Sequence, residues 1–237
     1  MKVDICSLDM GFIQSCRSVL EIWSAFVCVD LDLSPAALWE NLPEGEQMKS
    51  RILFLDAESW TLDEDLKLLE MVRAFYGAVF VCARDSRKAI ALYRLRPTAF
   101  LSRPMSASAL DRAMSQCVSL WQAGVKNLEL TENRSRMKVP MCDILWAEAQ
   151  GRNCVLHGLS RDLQIGASMN ELTTQLPGDV FIRCQRSYLV NLRHVRQADG
   201  KFVYMTNGEA ISIGRSTRPE VMSVVEHYQL LWNEQQG

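Results

Sequence analysis

The chain has 237 residues, 48% of them apolar and 23% charged, with a formal net charge of −2 at pH 7. That length predicts two domains of ordinary size, each able to bury a core, and the near-neutral balance means that any affinity for a polyanion must come from local clustering. No apolar run approaches the ~20 residues of a membrane helix and the N-terminus lacks a basic-then-apolar leader, so a cytoplasmic chain without a membrane partner is expected.

Eight cysteines, Cys6, Cys16, Cys28, Cys82, Cys117, Cys142, Cys154 and Cys184, are scattered without a Cys-x-x-Cys pair, which argues against a zinc site or redox couple. Most sit in apolar contexts and are expected to be reduced and buried. Cys154 and Cys184 fall closest to the basic segment between Arg183 and Arg218 and are the two candidates for thiol sensing.

In chain order, Lys2–Ser7, a weaker stretch from Phe26 to Leu31, Arg51–Leu55, Ala78–Cys82 and Ala99–Ser102 read as short apolar strands. Helical periodicity lies between and after them at Gly11–Trp23, Pro35–Asn41, Asp63–Tyr76, Arg87–Arg94 and Ser106–Trp121. Five strands alternating with five helices predict an α/β domain, a doubly wound parallel sheet covered on both faces. Functional groups then collect at the carboxyl ends of the strands, where the sequence carries Asp9, Asp56, Cys82 and Arg103.

This half resembles the receiver domain of bacterial response regulators, in which an aspartate after the third strand accepts a phosphoryl group. The resemblance makes Asp56 the candidate phosphoacceptor and implies a sensor histidine kinase as a partner. It also implies Mg²⁺ as a cofactor if Asp56 is phosphorylated, with Asp9 and Asp56 as a reduced ligand set. Three positions depart from the family pattern. Ser7-Leu8-Asp9 keeps one acid where receivers have an adjacent pair, Cys82 stands where they have a hydroxyl, and Arg103 before Pro104 stands where they have lysine. Arginine is wider than lysine and differently shaped, so that exchange is not neutral. The alternative is a receiver-like dimerisation domain in which Asp56 is structural and no cofactor is required.

The helical pattern from Ser106 ends near Gly124. The predicted organisation is a receiver-like domain over 1–122, a linker at 123–126 and a second domain over 127–237. Asn127–Thr131 begins an alternating strand, and Gly151, Gly158, Gly166, Gly178, Gly200 and Gly208 punctuate the rest of this half. These spacings predict a mainly β domain with one helix. Between Arg183 and Arg218 stand seven basic residues, including Arg186, Arg193, Arg196, Lys201 and Arg215, against two acidic ones, Asp199 and Glu209. Such local excess suits either phosphate contact or a solvated basic face.

Several phrases in this half occur in one order: Asp143-Ile-Leu-Trp-Ala-Glu-Ala149, Gly151-Arg-Asn153, Ser168–Leu176, Phe181-Ile-Arg-Cys-Gln-Arg-Ser-Tyr-Leu-Val-Asn191, Asn207-Gly208 and Ser212-Ile-Gly-Arg215. Together they resemble the LytTR family of bacterial DNA-binding domains. The resemblance implies a β fold whose loops, rather than a recognition helix, enter the grooves of duplex DNA. It places Asn153 and Cys154 in a first recognition loop, and Arg186 and Arg215 in later loops that touch DNA. Arginine reads guanine through a bidentate pair or grips phosphate. Base readout is expected from Arg186 and Arg215, and phosphate contact from Arg152, Arg183, Arg193 or Arg218. Tyr188, Leu189 and Val190 suit a strand core, and Asn191 suits the ordering of a turn.

No nucleophile elbow, phosphate-binding glycine loop or His-Glu-x-x-His motif is present, so an enzyme is not expected. The expected function is transcription regulation: a response regulator of a two-component phosphorelay that binds specific duplex DNA as a homodimer. The alternative is a protein-binding adaptor that no longer binds specific DNA.

Overall fold

A computed structural model describes residues 1–35, 49–59, 75–85, 87–88, 92–132 and 135–233. The chain divides into two compact units, residues 1–24 with 29–124, and residues 25–28 with 125–233.

In the first unit, strands β1 (Lys2–Cys6), β2 (Asp32–Pro35), β3 (Arg51–Asp56), β4 (Ala78–Ala83) and β5 (Ala99–Ser102) form a parallel sheet in the order β2-β1-β3-β4-β5. The inner strands β3 and β4 read Arg-Ile-Leu-Phe-Leu-Asp and Ala-Val-Phe-Val-Cys-Ala because both of their faces are buried. On β5 only Leu101 is buried, as suits the sheet edge. Helix α1 (Met10–Phe26) buries Phe12, Cys16, Leu20 and Trp23, a spacing of three and four that forms one face. Helix α2 (Ala107–Met114) starts at Ser106, whose side chain accepts from Ala109 N at 3.2 Å, and continues through a 3₁₀ turn, Ser115–Cys117, into α3 (Val118–Trp121).

The second strand is not Phe26–Leu31, as the sequence suggested, but Asp32–Pro35. Phe26 ends α1, Val27 and Cys28 form the turn beyond it, and Val29 makes an isolated bridge, so this apolar run is buried without forming a strand. The helices expected over Pro35–Asn41 and Asp63–Tyr76 fall largely outside the described residues, as does part of Arg87–Arg94.

The second unit begins with the hairpin β6 (Asn127–Glu132) and β7 (Ser135–Pro140). Then come β8 (Ile144–Gln150), β9 (Asn153–Gly158), β10 (Asp162–Ile165), helix α4 (Met169–Gln175), β11 (Phe181–Gln185), β12 (Tyr188–Asn191), β13 (Val195–Ala198), β14 (Phe202–Met205), β15 (Ala210–Ser212) and helix α5 (Arg218–Asn233). An antiparallel sheet runs β10-β9-β8-β12-β11, and a smaller one β13-β14-β15. A capping box starts α4: Ser168 accepts from Glu171 N at 3.3 Å while the Glu171 carboxylate accepts from Ser168 N at 2.8 Å. Fully buried Asn191 ties the far end of the sheet, where Nδ2 donates to Ile144 O at 2.8 Å and Oδ1 accepts from Arg193 N at 3.0 Å.

One helix was expected here, and the described residues contain two. Helix α5 buries Val221, Val225 and Tyr228 at positions i, i+4 and i+7, a periodicity hidden behind the exposed Arg218-Pro-Glu start.

Candidate functional site

The register of the larger β sheet in the second unit decides which loops meet. Tyr188 pairs with Glu148, so the start of β12 lies beside the end of β8, and Ala149 N donates to Ser187 O at 2.8 Å. The two-residue turn Arg186-Ser187 between β11 and β12 therefore sits at the same end as the two-residue turn Gly151-Arg152 between β8 and β9. Gly151, at φ +68°, takes the first central position of its turn, where a side chain would be strained. Because Ile165 pairs with Cys154, the end of β10 and the start of α4 reach the same edge.

The loop carrying Arg215 is stitched to this group. Gly214 N donates to Cys184 O at 2.8 Å, Thr217 Oγ1 donates to the same carbonyl, and Gln185 Nε2 donates to Ser212 Oγ at 2.6 Å. A Cβ on Gly214 would stand 3.2 Å from that of Gln185, so this close approach favours glycine. Arg152, Asn153, Arg186 and Arg215 are all exposed on these loops, and Arg218 is exposed at the start of α5, next to the Arg215 loop.

Arg183, expected on phosphate, supports the loop instead. Its Nη1 donates to Asn170 Oδ1 at 2.8 Å and its Nη2 to Arg186 O at 2.7 Å, so the guanidinium holds the Arg186 turn from beneath. Cys154 is a core residue with no exposed surface, because the alternation of β9 turns its side chain inward. Arg193 follows β12 at the opposite end of the sheet from Arg186, roughly 13 Å along a four-residue strand. It therefore does not join the arginine cluster. Neither candidate sensor thiol has exposed surface, and burial pushes both up, Cys184 to about 12. Asn170, which orients Arg183, was missed; a short polar side chain in the first turn of a helix gives little sequence signal.

The acid cluster of the first unit lies at the carboxyl ends of β1, β3 and β5. Asp56 is 0% exposed and ends β3. Its Oδ1 accepts from Arg103 Nη1 at 2.6 Å and Glu58 N at 3.0 Å; its Oδ2 accepts from Ser7 Oγ at 2.6 Å and Ser59 Oγ at 2.9 Å. Arg103 Nη2 donates to Asp9 Oδ2 at 2.9 Å, and the guanidinium carbon stands 4.3 Å from the centre of the Phe12 ring. The Arg103 hydrogen bond, with those from Phe12 N and Gly11 N, holds the Asp9 carboxyl below its ordinary range.

Asp56, Asp9 and Arg103 are thus brought together. Cys82 is the ladder partner of Asp56 on β4 but is fully buried, and burial keeps its thiol protonated. The hydroxyls that reach Asp56 are Ser7 and Ser59, which sequence reasoning did not single out. Ser7 was legible in principle, since it occupies the first position of Ser7-Leu8-Asp9.

Residues 134–226 match the model of the LytTr DNA-binding domain family. The transcriptional regulatory protein YpdB of Escherichia coli strain K12 is 22% identical over 165 residues, covering 63% of this chain and 67% of that protein. A solved LytTr DNA-binding domain from Bacillus cereus is 23% identical and covers 43% of this chain and 98% of its own, with a TM-score of 0.38. A response regulator receiver protein from Pseudoalteromonas atlantica is 15% identical and covers 50% and 98%, with a TM-score of 0.36. The strand order β2-β1-β3-β4-β5 of the first unit is a doubly wound order. Residues 134–226 thus match the LytTr DNA-binding domain family, and an α/β domain with a doubly wound parallel sheet precedes them in the chain.

Proposed function

We propose that the chain is a sequence-specific transcription regulator of the response-regulator type that binds duplex DNA as a homodimer and acts in the cytoplasm. The carrying observation is that exposed Arg152, Arg186 and Arg215 lie on loops gathered at one end of the second unit and braced by Arg183, Thr217 and Gln185. Arg186 and Arg215 read base edges in the major groove, while Arg152 and Arg218 neutralise phosphate. Asn153, exposed beside Arg152, contributes short-range hydrogen bonds. The receiver-like unit supplies the dimer contact, which doubles the half-site and so the length of sequence read.

Selection of bound sequences from a random duplex library, with the full chain at two salt concentrations, tests this reading. Enrichment of a paired motif is the expected result. Binding that fades with salt and enriches nothing reflects phosphate attraction alone, and assigns the chain to the protein-adaptor class.

A further inference from the structure

The receiver-like fold implies a divalent cation held by strand-end acids and a phosphoryl group accepted by Asp56. The residues present do not fit either. A carboxylate offers about four acceptor positions on its two oxygens, and four hydrogen bonds from Arg103, Glu58, Ser7 and Ser59 fill them. With no exposed surface, Asp56 has no oxygen left to attack a phosphoryl donor. The hydroxyls are themselves fixed, since Ser59 Oγ accepts from Leu8 N and Ser7 Oγ from Asp9 N, each at 2.9 Å.

The cation position is filled as well. Both Asp9 oxygens are taken, Oδ2 by Arg103 and Oδ1 by Gly11 N at 2.8 Å and Phe12 N at 3.3 Å. Mg²⁺ asks for oxygens at about 2.0–2.1 Å in octahedral array. The guanidinium lies between the two carboxylates instead, with its side chain 7% exposed. Among the described residues, no group of three or more His, Cys, Asp and Glu is placed to hold a metal ion.

We infer that the Arg103 guanidinium is the resident cation of this acid cluster, bridging Asp9 and Asp56, so that the receiver-like domain holds its arrangement without Mg²⁺ and without phosphorylation. Lysine carries the same charge on a single nitrogen. The planar fork of arginine bonds two carboxylates at once, and this bridging makes the cluster self-contained. Regulation of the chain then comes from outside the acid cluster. This inference stands apart from the DNA-binding reading, because adduct formation and Mg²⁺ response are both measured without DNA.

The full chain is incubated with Mg²⁺ and acetyl phosphate and weighed intact, and its Tm is followed as Mg²⁺ rises through the millimolar range. The expected result is no phosphoryl adduct and no shift of Tm. A stoichiometric adduct on Asp56, or a saturable Mg²⁺-dependent rise in Tm, overturns the inference. Arg103→Lys supplies the second arm, since a single nitrogen replaces the two that separately bond Asp56 and Asp9. A Mg²⁺-dependent rise in Tm is expected in this variant alone. If it is as indifferent to Mg²⁺ as the parent chain, the guanidinium is not what excludes the cation and the assignment fails.

Discussion

Two arginine-bearing sites divide this molecule, and they treat charge in opposite ways. At the strand ends of the receiver-like unit, Arg103 is nearly buried and both of its terminal nitrogens are engaged by carboxylates of its own chain. On the loops of the second unit, Arg152, Arg186 and Arg215 face solvent, and a further arginine, Arg183, is used to brace one of those loops from beneath. A guanidinium satisfied internally maintains a structure, whereas one held out on a braced loop is available to an external anion. Exposure and hydrogen-bond partners separate the two where residue type does not.

The sharpest way to break this comparison is to remove one arginine from each side and read stability. Arg103→Ala leaves Asp56 buried with an uncompensated charge, and should cost about 3–5 kcal/mol in urea unfolding. Arg186→Ala, on an exposed turn, should stay within about 0.5 kcal/mol. Equal losses would erase the distinction.

On the DNA side the order reverses. Arg186→Ala and Arg215→Ala should each weaken binding to the selected site by about 1–3 kcal/mol more than binding to random duplex. Arg152→Ala should weaken both alike and lower the salt slope by about 1. Arg186 and Arg215 would be reassigned to phosphate if titrations on the two duplexes showed the same loss.

The frame that holds the loops gives a smaller effect. Asn191→Ala removes a buried side chain that serves Ile144 O and Arg193 N, and should destabilise the second unit by about 1–3 kcal/mol. Because Asn191 lies at the far end of the sheet, selectivity among duplexes should survive in the folded fraction. A selective loss of specific binding would extend the interface to that end.

The smallest expected effect is one of pH. His194 is buried beside Cys142 O at 2.8 Å, and burial holds its imidazole below the ordinary value of 6.5. The unfolded chain therefore takes the proton first as pH falls. The His194 contribution is complete above the unfolded value and is lost as pH drops toward the folded one. Urea midpoints should fall between about pH 7 and pH 5, and His194→Gln should flatten that slope. An unchanged slope in the variant would assign the decline to other groups.

Much of this was legible in the chain. The buried runs Arg51–Leu55 and Ala78–Cys82 name inner parallel strands because a strand covered on both faces needs apolar residues at every position. Gly151-Arg-Asn153 names a turn because glycine chemistry is a local property, whereas the loop position of Arg186 was implied only by the family resemblance of the Phe181–Asn191 block. The weaker readings were those in which one apolar residue suits two environments. Phe26–Val29 suited a strand but is buried without forming one, and Val221, Val225 and Tyr228 were overlooked as a helical face.

By itself the sequence determined that an α/β half precedes a mainly β half and that basic residues cluster between Arg183 and Arg218, since periodicity, turn chemistry and charge are written residue by residue. Only the tertiary structure decided which charges remain available. Pairing of β8 with β12 gathered Arg152 and Arg186 at one end and sent Arg193 to the other, the inward phase of β9 buried Cys154, and the strand-end loops of the receiver-like unit closed Arg103 over Asp9 and Asp56. Those outcomes depend on register and on contacts between residues as many as 94 positions apart, which no local pattern encodes.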